Sequence, residues 1–262
     1  MEFVKNAGII IILSFALQVI LVHKSFSQEE QPEKTYHFNG SISITNNGFS
    51  LIPTFSLGKP AAIADLSLGG KRFSFDPQFR FDIAGLKPWS FIFIWRYKLK
   101  QTDRWLIRAG LHLPAITFRE ETVQTNGTTI ERLVSHRFMA PEILFNYSIT
   151  KRINVGVYYL YGLGLEKQDQ PRHNHYFSLS AGFIQIPLNK QFYLNWNPQL
   201  YYLNIDGRDG IYVAHALAIG HRKIPFSLST MMNVKLKSDV PSNDFDWNIS
   251  LVYTFRNQLT KK

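Results

Sequence analysis

The stretch "INVGVYYLYGLGLE", from Ile153 to Glu166, restricts the possible folds of this chain more than any other feature. Taken by twos, one face reads Ile153, Val155, Val157, Tyr159, Tyr161, Leu163 and Leu165. The other reads Asn154, Gly156, Tyr158, Leu160, Gly162, Gly164 and Glu166. A period of two belongs to an extended strand. In a soluble sheet the second face is wet by water and carries Lys, Glu and Thr. Here glycines stand in those places, which suits a crowded interior better than an open surface.

The same alternation recurs along the chain in runs near the roughly 9 to 11 residues a tilted strand needs to cross a bilayer. "KRFSFDPQFRFDI" sets Phe73, Phe75, Pro77, Phe79, Phe81 and Ile83 against Arg72, Ser74, Asp76, Gln78, Arg80 and Asp82. "FDWNISLVYTF" sets Phe245, Trp247, Ile249, Leu251, Tyr253 and Phe255 against Asp246, Asn248, Ser250, Val252 and Thr254. Aromatic residues at both ends of an apolar face, with aliphatics between them, match rings at two membrane interfaces and aliphatics among acyl chains. "GIYVAHALAIGH" offers Tyr212, Ala214, Ala216, Ala218 and Gly220 on its other face, too small for an outer surface.

Connections supply an independent reading. "ITKR" (149–152), "LNKQ" (188–191) and "HRKI" (221–224) are tight, whereas 119–132, 166–174, 204–210 and 237–244 are longer. Short and long connections alternate, as in a barrel with short periplasmic turns and longer outer loops. With the C-terminus in the periplasm, 100–103 and 69–71 also fall on the short side. Strand-like runs come to an odd number, but a single-chain bacterial barrel needs an even one. The weakest run is "GFSLIPTFSLGKPA", which holds Pro53 and Pro60, and proline removes a donor from a ladder without free edges. Residues 46–60 are therefore expected to form a first loop, folded inward or over the rim. The expected fold is all-β, a closed antiparallel up-and-down transmembrane barrel of about 12 strands, with 14 as the alternative.

The N-terminus has the layout of an export signal: Lys5, the apolar "AGIIIILSFALQVILVH", then polar residues with Ser25 and Ser27. The apolar run is shorter than the roughly 20 residues of a spanning helix. The expected organisation is a signal peptide at 1–27, a polar segment at 28–35, the barrel at 36–256 and a basic tail at 257–262. Removing 1–27 takes away Lys5, Lys24 and Glu2, so the net charge of +10 becomes +10 − 1 = +9. The chain has no Cys, which excludes a lipidated N-terminal cysteine, disulfides and thiolate metal sites.

Together, the export signal, the alternating strands and the closing "WNISLVYTF" resemble the outer-membrane β-barrel class of Gram-negative bacteria. The resemblance implies an outer-membrane location, contact with its lipids and insertion by the outer-membrane assembly machinery, which in that class recognises a last strand ending in an aromatic residue. Here "RNQLTKK" follows Phe255 and displaces that signal. The match is to an architecture, and architecture does not assign function.

With the apolar face outward, parity supplies an interior. A charged wall comprises Asp65, Arg72, Asp76, Arg80, Asp82, Arg96, Arg108, His112 and Glu142, with Lys98 and Arg104 beside it. A neutral wall comprises Tyr193, Asn195, Asn197, Gln199, Tyr201 and Asn248. Buried charges persist chiefly when paired, so most of the charged wall reads as ion pairs closing the interior, against an Arg-rich strip guiding anions. Twelve strands lie between a side-chain-filled barrel and an open channel. The functional expectation is a narrow or gated passage for a small polar solute. The alternatives are a plugged barrel acting through its outer loops, and an outer-membrane lipid-modifying enzyme. For the last, no spacing among the serines and His136, His173, His175, His215 and His221 resembles a hydrolase signature. His173 and His175 in "RHNH" are a weak metal pair that reads as a solvated loop, His215 falls on the lipid face, and Glu142 and Glu166 read as partners of arginines. No cofactor is expected. Lys and Arg are scattered without an aromatic-basic motif, so anionic headgroups rather than nucleic acid explain the positive charge.

Overall fold

The computed structural model describes residues 35–125, 128–166 and 171–260. The expected signal peptide, most of the 28–35 segment and the end of the basic tail lie outside the described residues. Twelve antiparallel strands close into one barrel. They are β1 (Thr35–Thr45), β2 (Ala61–Gly69), β3 (Phe73–Asp82), β4 (Pro88–Gln101), β5 (Trp105–Thr125) and β6 (Thr128–Ser148). The second half comprises β7 (Ile153–Gly164), β8 (His173–Pro187), β9 (Phe192–Ile205), β10 (Arg208–His221), β11 (Phe226–Ser238) and β12 (Phe245–Thr260). Each strand pairs with its neighbours in sequence and β12 returns to β1, so the wall itself closes without a free edge among the described residues. β12 runs past Phe255 to Thr260, so strand structure takes up the first residues of the expected tail.

The wall is inside out relative to a soluble barrel. Leu251 is 55% exposed while adjacent Ser250 is 8% exposed, and Leu228, Ile249 and Trp247 share the outward side with Leu251. The inward glycines make room for neighbouring side chains. A Cβ on Gly220 would lie 2.4 Å from the Tyr193 ring, and one on Gly110 would lie 2.7 Å from Glu142 Oε1.

Two expected outer loops prove to be something else. Residues 119–132 belong largely to β5 and β6, whose pairing continues out to Thr125 opposite Thr128. β4 leaves β5 at Thr117 and β7 leaves β6 at Phe138, so the 118–137 hairpin stands beyond the wall. Its β-branched Thr, Val and Ile residues sustain extended structure where the charges Glu120, Glu121 and Arg132 had read as loop. Residues 204–210 shrink to a turn at Asp206 and Gly207, with φ of 48° and 84°, between Ile205 and Arg208. Asp-Gly with both φ values positive is the favoured two-residue hairpin turn.

Residues 46–60 form a strap between β1 and β2, with a single 3-10 turn at Pro53–Phe55. The strap folds into the barrel mouth. Leu51 and Ile52 pack on a buried apolar cluster formed by Leu160, Tyr176, Tyr201, Leu203 and Tyr212. Val240, 2% exposed, enters the same cluster from the β11–β12 loop. Most of the apolar core of this barrel is therefore at its outer end, where two connections fold inward.

Candidate functional site

The inward charges sort into three environments that parity alone does not separate. The first is a clamp to which β3, β4, β5, β6 and β7 each contribute one residue. Arg96 donates from Nη1 to Asp76 Oδ2 at 2.8 Å and from Nε to Glu142 Oε1 at 2.7 Å. Glu142 Oε2 accepts the Tyr158 hydroxyl at 2.7 Å and lies 2.8 Å from His112 Nε2. Asp76 also accepts from Ser67 at 2.6 Å and from Ser74 at 3.2 Å. The Glu142 side chain is 1% exposed, and this many donors offset the cost of burying it. Gly110 sits directly opposite Glu142 and gives it space. Arg108 lies one inward position further down β5 than Gly110, and among the described residues it makes no ion pair within 4.0 Å.

The second environment is the rim. Asp82 ends β3 beneath the strap, where Oδ1 accepts the Ala84 N–H at 2.9 Å and Oδ2 lies 4.0 Å from Lys59 Nζ. Arg72 and Arg104 depart from the expected lumen. Both lie in short turns and donate to outward tyrosines, Arg72 to Tyr97 and Arg104 to Tyr147, each at 3.4 Å. Strand alternation ends before these positions, so parity does not reach them.

The third environment is a cavity of about 930 Å³ under the strap, to which Asp65, Arg80 and Trp89 contribute from one side. The opposite side includes Asn195, Asn197, Gln199 and Asn248. Several of these amides also hold the wall together. Asn195 Oδ1 accepts the Gln185 N–H at 2.8 Å at a β8 bulge, Asn197 donates to Ala181 O at 3.0 Å, and Asn248 accepts the Met231 N–H at 2.9 Å. Gln199 Oε1 accepts the Tyr176 hydroxyl at 3.4 Å. Tyr201, 1% exposed, donates to Asn233 at 2.9 Å and stacks on Tyr212 at 4.9 Å. It belongs to the plug at the outer end rather than to the cavity. Tyr193 faces Gly220 and lies under the Arg222 guanidinium, 5.9 Å from it.

Sequence reasoning missed what holds the strap. Trp89 Nε1 donates to Phe55 O at 3.0 Å, the Arg119 guanidinium donates to Thr54 O, and Phe55 meets Phe138 edge-on at 5.0 Å. Lys59 and Lys87 both reach Glu120 on the projecting hairpin. Lys87, whose hydrogen bond is the larger cause, and Lys59 hold the Glu120 carboxyl below its usual range. Trp89 sits at a register shift near the start of β4, which hides it from a parity count.

The described histidines all have side-chain contacts. His173 and His175 accept or donate at Tyr161 and Tyr159, at 2.7 and 2.9 Å, and His136 lies 3.4 Å from Glu121. On the outward face Trp196 Nε1 donates to His215 Nδ1 at 3.3 Å. His221 Nδ1 accepts the Lys223 N–H at 3.1 Å. Glu166 pairs with Arg137. His37 contacts Ser67 at 3.2 Å, but that hydroxyl gives its proton to Asp76, so the imidazole is the donor and not a base poised on a nucleophile.

A closed, even-stranded barrel with an apolar outside and a polar, charge-bearing inside is an outer-membrane-type transmembrane β-barrel. No protein-family model matches the sequence, and neither does any curated protein. Among solved structures, the NanC porin superposes with a TM-score of 0.50 at 15% identity, covering 86% of this chain and 100% of its own. The KdgM porin also superposes at 0.50, with 8% identity, over 84% of this chain and 99% of its own. At such identities the likeness is one of fold.

Proposed function

We propose that this barrel is a gated outer-membrane passage for small polar solutes, with the 46–60 strap as its gate. The cavity under the strap carries the reading: it mixes apolar side chains with hydroxyl and amide groups and the two charges of Asp65 and Arg80, and it is closed outward by a segment that crosses no membrane and is held only by hydrogen bonds, ion pairs and packing. Nothing covalent fixes the strap, because the chain has no Cys. Its base closes on itself through Gly48 N to Lys59 O at 2.8 Å and Gly58 N to Gly48 O at 3.1 Å. Deleting 49–57 therefore joins two glycines already in contact and leaves the wall intact.

In planar bilayers the native barrel is expected to show small, interrupted conductance, and the deletion a larger and steady one. A deletion variant that folds yet conducts no more than the native protein would remove the gate from the reading. A second reading, a barrel acting through its outer surface, is supported by the 118–137 hairpin standing clear of the wall. Trimming that hairpin to a tight turn is expected to leave conductance unchanged and to abolish any surface interaction.

A further inference from the structure

We propose that Asp65 and Arg80 form a two-point subsite for zwitterionic solutes, small molecules bearing a carboxylate and an ammonium group, such as α-amino acids and short peptides. The inference rests on the passage reading and names the solute class that the same cavity takes. Asp65 lies on β2 opposite Gln78, and Arg80 lies on β3 opposite Ile63, so the two are diagonal inward neighbours on adjacent strands. Such neighbours are about 7–8 Å apart at the backbone. Both line the cavity beneath the strap.

Unlike Asp76, Arg96 and Glu142, these two charges are not joined. Among the described residues neither takes part in an ion pair within 4.0 Å. Asp65 Oδ1 and Arg80 Nε are buried and meet no hydrogen-bonding group of the protein. Arg80 is nevertheless held in place. One Nη2 donates to Gln78 Oε1 at 3.0 Å, and the guanidinium lies over the Trp89 ring, 5.2 Å from its centre. A guanidinium has five donors, so most of its capacity remains for a guest.

Two opposite, unjoined charges select by sign. A simple anion gains Arg80 and meets the repulsion of Asp65, and a simple cation meets the reverse. A molecule with its carboxylate on Arg80 and its ammonium on Asp65 satisfies both groups at once. Charges left unpaired away from bulk water are costly, so a guest that supplies both partners gains more than one that supplies either. The cavity is also within the roughly 300–1,000 Å³ of small-molecule sites, and Ser178, Ser180 and Gln199 across it tolerate a polar side chain on the guest.

The test uses the full barrel with four probes of similar size: glycylglycine (zwitterion), N-acetylglycine (anion), glycylglycinamide (cation) and N-acetylglycinamide (neutral). Proteoliposome swelling reports entry, and saturation-transfer NMR on the detergent-folded barrel reports binding. Glycylglycine is expected to bind best and to enter faster than the other three. Asp65→Asn and Arg80→Met are each expected to weaken its binding about tenfold, the worth of one charge-assisted contact, without changing entry of the neutral probe. Heat-modifiable migration on gels certifies folding, and Arg80→Lys, which keeps the charge but loses the fork, stands in if Arg80→Met does not fold. Binding led by N-acetylglycine and sensitive to Arg80 alone would overturn the proposal in favour of a plain anion site. Binding indifferent to charge would overturn it as well. If no probe enters the liposomes, the passage reading fails, but selective binding of glycylglycine that both variants abolish would still establish the subsite.

Discussion

Arg96 and Arg80 are both inward arginines on adjacent strands, and they are treated in opposite ways. Arg96 is held by two carboxylates, one of which is also bonded by His112 and Tyr158. Arg80 faces one carboxylate that it does not touch and keeps a buried N–H without a partner. The same residue type therefore does two jobs. Five strands are fastened together by the first, and the second leaves charge available in a cavity. A charge in a barrel interior is structural where its neighbours saturate it and available to a guest where they do not.

That contrast can be broken first at Glu142. Glu142→Ala strips Arg96 of one acceptor and leaves His112 and Tyr158 facing none, and removing one partner of a buried pair costs about 3–5 kcal/mol. Urea unfolding in lipid vesicles, followed by tryptophan fluorescence, measures it. Gly110→Ala comes next, since its methyl group would lie 2.7 Å from Glu142 Oε1. Overpacking of this kind costs about 1–3 kcal/mol. Combined with Glu142→Ala, the same change should cost almost nothing, so a double-mutant cycle with strictly additive terms would contradict the clamp geometry.

The pair Arg96→Met and Arg80→Met sharpens the comparison. The first should destabilise on the scale of Glu142→Ala, whereas the second should change stability by about 1 kcal/mol or less, because the group removed was already unpaired. Equal losses in the two unfolding curves would erase the distinction. The smallest effect belongs to the gate. The Glu120 carboxyl, beyond the barrel wall, is held below 4.5 by Lys87 and Lys59. The tie is thus complete at pH values above that of a free carboxyl and is lost only as acid takes the medium through the lower folded value. Bilayer recordings from pH 7 down to about pH 3 should show more frequent opening only at the acid end, and Glu120→Gln should open more often at neutral pH.

Much of the architecture was legible. Phe73 to Ile83 and Phe245 to Phe255 announce two-sided strands, Pro53 and Pro60 mark the strap, and twelve strands close as the parity of a barrel requires. The polar residues of 204–210 suggest a longer loop, whereas Asp206 and Gly207 make a two-residue turn. The charges of 119–132 suggest a loop, whereas its β-branched residues extend the β5–β6 ladder. Within the interior, Glu142 and Arg96 were recognisable as inward, and pairing was the expected fate of most such charges. Which charges pair was not legible. A register shift hides Trp89 from strand parity, and parity does not extend to Arg72 and Arg104, which lie in turns outside the alternating runs.

By itself the sequence determined which side of each strand meets hydrocarbon, because the face of a residue depends only on its place in a two-residue repeat. The tertiary structure alone decided who touches whom inside: that Asp76 and Glu142 share Arg96, that Asp65 stands apart from Arg80, and that the strap enters the mouth. Contacts across a barrel depend on the register between strands, and the shifts near Trp89, His112 and Phe183 set it through backbone geometry that no local alternation encodes.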